Sequence, residues 1–229
     1  MNNIAVLIPA RGGSKSIPLK NIKMLGDKPL IAWTIQSALN AGIQRVIVST
    51  DHDEIAKISR EFGAEVIMRP TELAQDTTPM YDVLKSEIPK IEPIPEFVMI
   101  LQPTSPFREK VHIKAAISFL TANIEEYDSL ISVNRVPHRY HPAQTIVMTP
   151  TGPKMASGAP ISQRITRRQD FPDAFIPDGG IYFFKTSNLE RGNLYGNKVL
   201  LLETEERINI NEASDWEIAE QQIKGYEKI

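Results

Sequence analysis

The chain has 229 residues, of which 41% are hydrophobic and 24% charged, and 26 basic against 28 acidic side chains leave a net charge of −2. A core of this size folds without covalent staples, and the absence of cysteine excludes a disulfide framework, a thiolate zinc site and a cysteine nucleophile. Nearly balanced charge offers no footprint for nucleic acid, and no apolar run approaches the roughly 20 residues of a membrane helix.

Met1-Asn2-Asn3-Ile4 lacks the basic-then-apolar pattern of a secretory signal, so a cytoplasmic protein is expected, with no membrane and no nucleic-acid partner. Ile4 to Ile8 is a continuous apolar run ending at Pro9, as a strand buried on both faces reads. After a Gly-rich loop, Asp27 is placed as an N-cap and Pro29 as an early helical position. Ile31, Ile35 and Ala38 then share a face, and Gly42 ends the helix. Arg45 to Thr50 reads as strand. Asp51 or Asp53 caps a helix carrying Ile55, Ile58 and Phe62, which ends at Gly63. Glu65 to Met68 is a short strand, and a helix with Val83, Leu84 and Ile88 follows Pro79.

Phe97 to Leu101 is strand, Val111 to Ala122 is a helix presenting Ile113, Ala116, Ile117 and Leu120, and Ser129 to Asn134 is strand again. This alternation predicts an α/β fold of Rossmann-like character, with a mostly parallel sheet flanked by helices. The pattern changes after Asn134. Arg135 to Arg168 is rich in Pro, Gly, Thr and His, carries Arg135, Arg139, Lys154, Arg164, Arg167 and Arg168, and has no acidic residue. Strands return at Gly180 to Lys185 and Val199 to Glu203, and a last helix from about Glu212 presents Trp216, Ala219 and Ile223. The expectation is a single domain over 1–229 in which about 135–200 contains an insertion that covers one end of the sheet and contributes to a dimer.

Sheets of this kind bind ligands beyond the carboxyl ends of their strands, where the polar motifs fall. Pro9-Ala10-Arg11-Gly12-Gly13-Ser14-Lys15, followed by Lys20 and Asn21, combines glycines that bring backbone N–H groups close to an anion with three cations. It reads as a polyphosphate cradle, although neither G-x-G-x-x-G nor a Walker A ending is present. A Gly turn beside a solvated basic patch is the plainer alternative. Leu101-Gln102-Pro103-Thr104-Ser105-Pro106-Phe107-Arg108 is stiffened by proline and offers donors and acceptors to a sugar or base; an ordinary strand-to-helix loop is its alternative. Ser105 has no Ser/His/Asp context, which disfavours hydrolase chemistry. The acid-free stretch suits an anionic ligand. His138 and His141 lack further convergent metal ligands and read as surface histidines. Asp178-Gly179-Gly180 permits a close backbone approach or forms a plain turn.

In order and spacing, these segments resemble the acylneuraminate cytidylyltransferase (CMP-sialic acid synthetase) family over nearly the whole chain. The resemblance rests on Ala10 to Lys15 with Pro18-Leu19-Lys20-Asn21, on Val48-Ser49-Thr50-Asp51, on Arg69-Pro70 with Asp76-Thr77, and on Leu101 to Pro106. It continues through Arg168-Gln169, Gly180-Ile181-Tyr182, Ile208-Asn209-Ile210-Asn211 and Asp215-Trp216. It implies that the hydroxyl of a sialic-acid-like 3-deoxy-2-keto sugar acid attacks the α-phosphorus of CTP, giving a CMP-sugar and pyrophosphate, with Mg²⁺ or Mn²⁺ assisting. Within it, Lys20 and Arg11 would be catalytic. Arg11, Gly12, Gly13, Ser14, Lys15, Lys20, Asn21, Arg69, Asp76 and Thr77 would bind the nucleotide, Asn21 and Arg69 reading cytosine. Gln102, Thr104, Ser105, Gln144, Arg168, Asp178, Tyr182 and Tyr195 would face the sugar acid, with Arg168 on its carboxylate. A homodimer is implied as well.

Three departures qualify the resemblance. Asn209 and Asn211 stand where family members usually carry metal-binding Asp, and a neutral amide oxygen is a poorer magnesium ligand, which leaves Asp215 as a further candidate. Gln144, Ile176 and Asp178 replace Lys, Arg and Asn around the sugar pocket, consistent with a different nonulosonic acid. Ser16 replaces Gly after Ser14-Lys15, so a backbone compatible with a side chain is expected there. The alternatives are a nucleotidyltransferase of the same fold using another sugar acid or nucleotide, and a CTP- or CMP-sugar-binding pseudoenzyme without turnover.

Overall fold

A computed structural model describes residues 3–226. In chain order the elements are β1 (Ile4–Pro9), β2 (Met24–Leu25), β3 (Lys28–Pro29), α1 (Leu30–Asn40), β4 (Arg45–Thr50), α2 (Asp53–Glu61), β5 (Glu65–Met68) and α3 (Met80–Glu87). They continue with β6 (Phe97–Ile100), α4 (Lys110–Ala122), β7 (Ser129–Arg135), β8 (Ile146–Thr149), β9 (Gly152–Met155), β10 (Phe175–Lys185), β11 (Val199–Glu203) and α5 (Ala213–Tyr226). Seven strands form one sheet in the order β11-β7-β10-β6-β1-β4-β5. Only β10 runs antiparallel to its neighbours β6 and β7; β1, β4, β5 and β6 are joined in parallel, as are β7 and β11.

The central strands are buried on both faces, and successive residues of β1 serve opposite sides. Val6 and Ile8 join Val48, Met99 and Leu101 under Ile31 and Ile35 of α1, Ile55 of α2 and Ile113 of α4. Ala5 and Leu7 join Ile47, Val98 and Ile100 under Leu84 of α3. Burying such a side chain completely contributes about 1.5–3 kcal/mol, so the alternation fixes the register of the central strands. A third cluster brings Trp216, Ala219 and Ile223 of α5 against Ile17, Leu25, Leu30 and Phe107. It closes the carboxyl end of β1 from the side.

Local chemistry departs from the sequence reading at three places. α1 begins at Leu30 after Pro29 with no side-chain cap; Asp27 instead lies in the tight turn that joins β2 to β3. α2 is capped by neither Asp51 nor Asp53 but by His52, whose Nδ1 accepts from the Glu54 N–H at 3.3 Å. The region that departs from the main sheet lies within 135–200. It runs from the end of β7 to the start of β10 and contains the β8–β9 hairpin, whereas β10 and β11 belong to the sheet. Its basic residues are also not without counter-charges. Arg135 pairs with Asp173 and Glu203, and Arg167 with Asp170. Among the described residues no helix is long and apolar enough to cross a membrane.

Candidate active site

The loop after β1 is held from several sides. The Ala10 N–H donates to the Ser49 carbonyl at 2.9 Å, and the Gly12 N–H to Asp51 Oδ1 at 2.8 Å. A Cβ at Gly12 would lie 2.7 Å from the His52 ring, so only glycine passes there. Gly13 faces open space. Asn21, 8% exposed, donates from Nδ2 to the Arg11 carbonyl at 3.0 Å. Ser16 Oγ donates to the Asn211 carbonyl at 2.5 Å and Lys20 Nζ to the Ile210 carbonyl at 2.9 Å. The loop is thereby tied to the 208–211 segment. Leu19 is the only non-glycine at positive φ among the described residues (φ 48°, ψ 36°), a conformation costing of order 1–3 kcal/mol. It directs the chain into the short turn carrying Lys20 and Asn21. Ser16 needs no such conformation.

A cavity of about 310 Å³ opens at this end of the sheet. Arg11, Ser14, Lys20, Asn21, Arg69, Asp76, Gln102, Thr104 and Asn211 line it together with Leu73, Met80 and Val83. Arg11 and Lys15 both pair with the Asp76 carboxylate. Those two contacts, Lys15 first, hold Asp76 below the usual carboxylate range. Burial lowers Lys20; Asp215 pulls it up and Arg11 pushes it down. Arg69 is 7% exposed and bonded to Ser49. A larger hollow of about 440 Å³ sits at the opposite ends of the strands, beside Ile4, Gly42 and Lys114. It has none of these groups, and the chemistry places the site at the carboxyl ends.

The 101–108 loop is anchored from below by Arg108, which sequence reading left without a role. It is 2% exposed. Nη1 donates to the Gly180 carbonyl at 2.7 Å and Nη2 to Thr34 Oγ1 at 3.0 Å, and both reach the Gln102 carbonyl. Burial pushes its guanidinium down to about 9, which leaves it charged at neutral pH. Between Pro177 and Tyr182 the register of β10 against β7 shifts. Ser132 Oγ fills the bulge, donating to Asp178 and accepting the Ile181 N–H at 2.7 Å.

Several expected sugar contacts are therefore internal. The Asp178 side chain, 4% exposed, accepts from Ser132, the Gly180 N–H, Thr204 and Arg207, so its carboxylate is spent on the bulge. Ser105 is 5% exposed and donates to the Gly179 carbonyl at 3.3 Å. Gly12 has its N–H committed to Asp51, and Thr77 lies outside the cavity wall, which Thr78 lines instead. Burial raises the hydroxyls of both Tyr182 and Tyr195, but neither lines the cavity. Gln144 sits in the 136–174 region against His138 at 3.2 Å. Phe171 stacks on His138 and His141 with centroids 4.9 and 4.8 Å apart, and His141 is buried rather than at the surface. Arg168 falls in a short 3-10 turn, and its side chain lies outside the described residues.

The proposed metal ligands do not form a cage. Asp215 Oδ2 accepts from the Asn211 and Glu212 N–H groups at 2.8 and 2.9 Å, capping the first turn of α5. Asn209 Nδ2 donates to the Asp178 carbonyl at 3.4 Å, and its Oδ1 is buried without a partner. No group of three or more His, Asp or Glu fit to hold a metal occurs among the described residues. One orphan amide oxygen and a carboxylate already used as a cap do not fit a protein-held Mg²⁺.

Against this geometry, a cytidylyltransferase family model matches residues 5–187. The chain is 36% identical over 225 residues to N-acylneuraminate cytidylyltransferase A of Danio rerio, covering 96% of this chain and 51% of that protein. It is 41% identical over 133 residues to N-acylneuraminate cytidylyltransferase of Escherichia coli O18:K1:H7, covering 58% of this chain and 31% of that protein. It thus spans about half the length or less of these curated relatives. A CMP:2-keto-3-deoxy-manno-octonic acid synthetase, solved with CTP, superposes with a TM-score of 0.74 at 17% identity, covering 98% of this chain and 100% of that one; that likeness concerns the fold. The chain belongs to the cytidylyltransferase family.

Replacing Arg108 by Met would take the 2.7 Å donor from the buried Gly180 carbonyl and leave the Gln102 carbonyl only the Ser105 N–H at 3.3 Å. Arg108→Met is expected to cost about 2–3 kcal/mol in chemical denaturation; a loss below about 0.5 kcal/mol would show that the loop does not depend on it.

Proposed function

We propose that the chain joins CTP to a sialic-acid-like 3-deoxy-2-keto sugar acid. The sugar's anomeric hydroxyl oxygen bonds to the α-phosphorus, the bond from that phosphorus to the bridging oxygen breaks, and pyrophosphate leaves. The hydroxyl proton passes to solvent. The observation that carries this reading is the Asp76 carboxylate held between Arg11 and Lys15. An anion already sits where cations from one loop converge, beside a cavity lined by Lys20, Ser14, Arg69, Gln102 and Thr104. A triphosphate offers the same cations more charge and more acceptor oxygens.

In this reading Arg11, Ser14, Lys15 and Lys20 hold the triphosphate, and Lys20 meets the charge that develops on the leaving pyrophosphate. Asn21 and Arg69 serve the base; Gln102 and Thr104, with Arg168, serve the sugar acid. Such transfer needs positioned charge more than covalent chemistry. A divalent cation would come with the triphosphate rather than be held in advance by the protein. A homodimer is supported by the β8–β9 hairpin. It stands apart from the main sheet and exposes Ile146 (51%), Val147 (41%) and Met148 (80%), a larger apolar surface than single scattered residues would give.

Pyrophosphate release with CTP, Mg²⁺ and a panel of 2-keto-3-deoxy acids is the direct test. Turnover with at least one acid is expected, and Lys20→Ala is expected to lower kcat by about 10²–10³-fold. CTP binding without release across the panel would instead identify a pseudoenzyme. Because burial lowers Lys20, its charge is complete below the lowered pKa and is lost as pH rises through it. The kcat/KM profile should therefore fall on an alkaline limb that begins below that of an ordinary lysine. A limb unmoved in Lys20→Arg would assign it to another group. Asp76→Asn removes the internal competitor and is expected to tighten CTP binding about twofold to fivefold; weaker binding would mean that the carboxylate helps to hold the nucleotide.

A further inference from the structure

One buried acid has no place in the chemistry above. Glu87, on α3, has no exposed surface. It lies one helical turn past Val83, which lines the cavity. Its Oε1 accepts from Ser49 Oγ at 2.5 Å, and Ser49, also fully buried, accepts from Arg69 Nε at 2.9 Å. Arg69 Nη2 donates to the Ser49 carbonyl at 3.2 Å, and Glu87 Oε1 lies 3.5 Å from Arg69 Nε. Glu87 Oε2 is buried without a partner. An apolar residue would pack α3 onto the sheet without desolvating a carboxylate, so packing does not account for Glu87.

What the carboxylate does is immobilise a guanidinium. Two of the three nitrogens of Arg69 are tied to Ser49, while Nη1 has no hydrogen-bond partner among the described residues and Arg69 forms part of the cavity wall. Its neighbours along the chain and on α3, Leu73, Met80 and Val83, are the apolar part of that wall. The loop cations stand elsewhere in the cavity, against Asp76.

We propose that Glu87, acting through Ser49, is a positioning residue that locks Arg69 with Nη1 toward the cavity, as a charge-compensated donor to the acceptor edge of cytosine. The proposal rests on the reading that the cavity takes CTP. Cytosine presents O2 and N3 as two adjacent acceptors, whereas uracil replaces the N3 acceptor with an N–H donor. A donor that cannot turn away satisfies the first edge and opposes the second. A mobile arginine would swing to another oxygen and discriminate poorly. The Glu87 charge offsets that of Arg69, which keeps this end of the cavity from competing for phosphate.

The test is calorimetric binding of CTP and UTP, each with Mg²⁺, to the full chain and to Glu87→Gln and Ser49→Ala, with melting temperatures measured alongside. The wild type is expected to prefer CTP. Each variant is expected to lose about tenfold of that preference, equivalent to about 1.4 kcal/mol, mainly through weaker CTP binding. In an Arg69→Met background Glu87→Gln should change the ratio no further. A wild type that binds neither nucleotide, or both equally, overturns the CTP reading itself. A wild type that discriminates, with folded variants that keep its ratio, overturns only the role of Glu87. A purely structural role would weaken both nucleotides equally and leave the ratio unchanged. If Glu87→Gln does not fold, Ser49→Ala decides by the same ratio.

Discussion

Arg11, Lys15 and Lys20 come from one short loop, and like charges gathered at the mouth of a strand repel. Much of the surrounding structure is the means of holding them there. Asp76 neutralises two of them from a separate segment. The 208–211 segment supplies the carbonyl that receives Lys20, and Asp51 fixes the Gly12 N–H. The backbone strain at Leu19 is concentrated in the same loop. Such strain persists only where neighbouring contacts over-determine it, and here the carbonyls of Arg11, Ile210 and Asn211 supply those contacts. The result is a preorganised cationic surface, which is what transfer at phosphorus requires.

The opposite wall is built on different terms. Arg108 and Ser132 are buried polar groups that replace missing strand hydrogen bonds where β10 bulges. Asp178 and Ser105 belong to this scaffold. Their oxygens hold the Gly179-Gly180 backbone beneath Gln102, so they shape the Gln102 side of the cavity without facing it. Arg69 follows the same logic beside Leu73, Met80 and Val83, with Ser49 and Glu87 as its scaffold. Buried polar groups thus frame a cavity whose loop cations Arg11 and Lys15 are partly open to water.

The parts of this arrangement that were legible in the sequence are those fixed by local pattern. Arg45–Thr50, Glu65–Met68 and Val199–Glu203 are bounded as their apolar runs suggest; in the first, nearly every residue is buried, which leaves little ambiguity, and the other two are edge strands delimited by their short β-branched or leucine runs. The cavity likewise gathers Arg11, Ser14, Lys20, Asn21, Arg69, Gln102 and Thr104, since all lie in the segments that follow β1, β5 and β6. What escaped was set by tertiary partners. His52 took the capping role from Asp51 because Asp51 was drawn to Gly12. Asp178 looked available because three of its four donors, Ser132, Thr204 and Arg207, come from distant segments. The β8–β9 hairpin has too little alternation to announce itself. Glu87 could have been noticed from its place on the Val83–Leu84 face of α3, where a carboxylate is out of pattern.

A crystal structure of the chain with CTP examines the central claim most directly. The account predicts triphosphate oxygens within hydrogen-bond reach of Arg11, Lys15 and Lys20, with the Asp76 carboxylate displaced from them. Nucleotide bound elsewhere, with the Arg11–Asp76 and Lys15–Asp76 pairs intact, would contradict it.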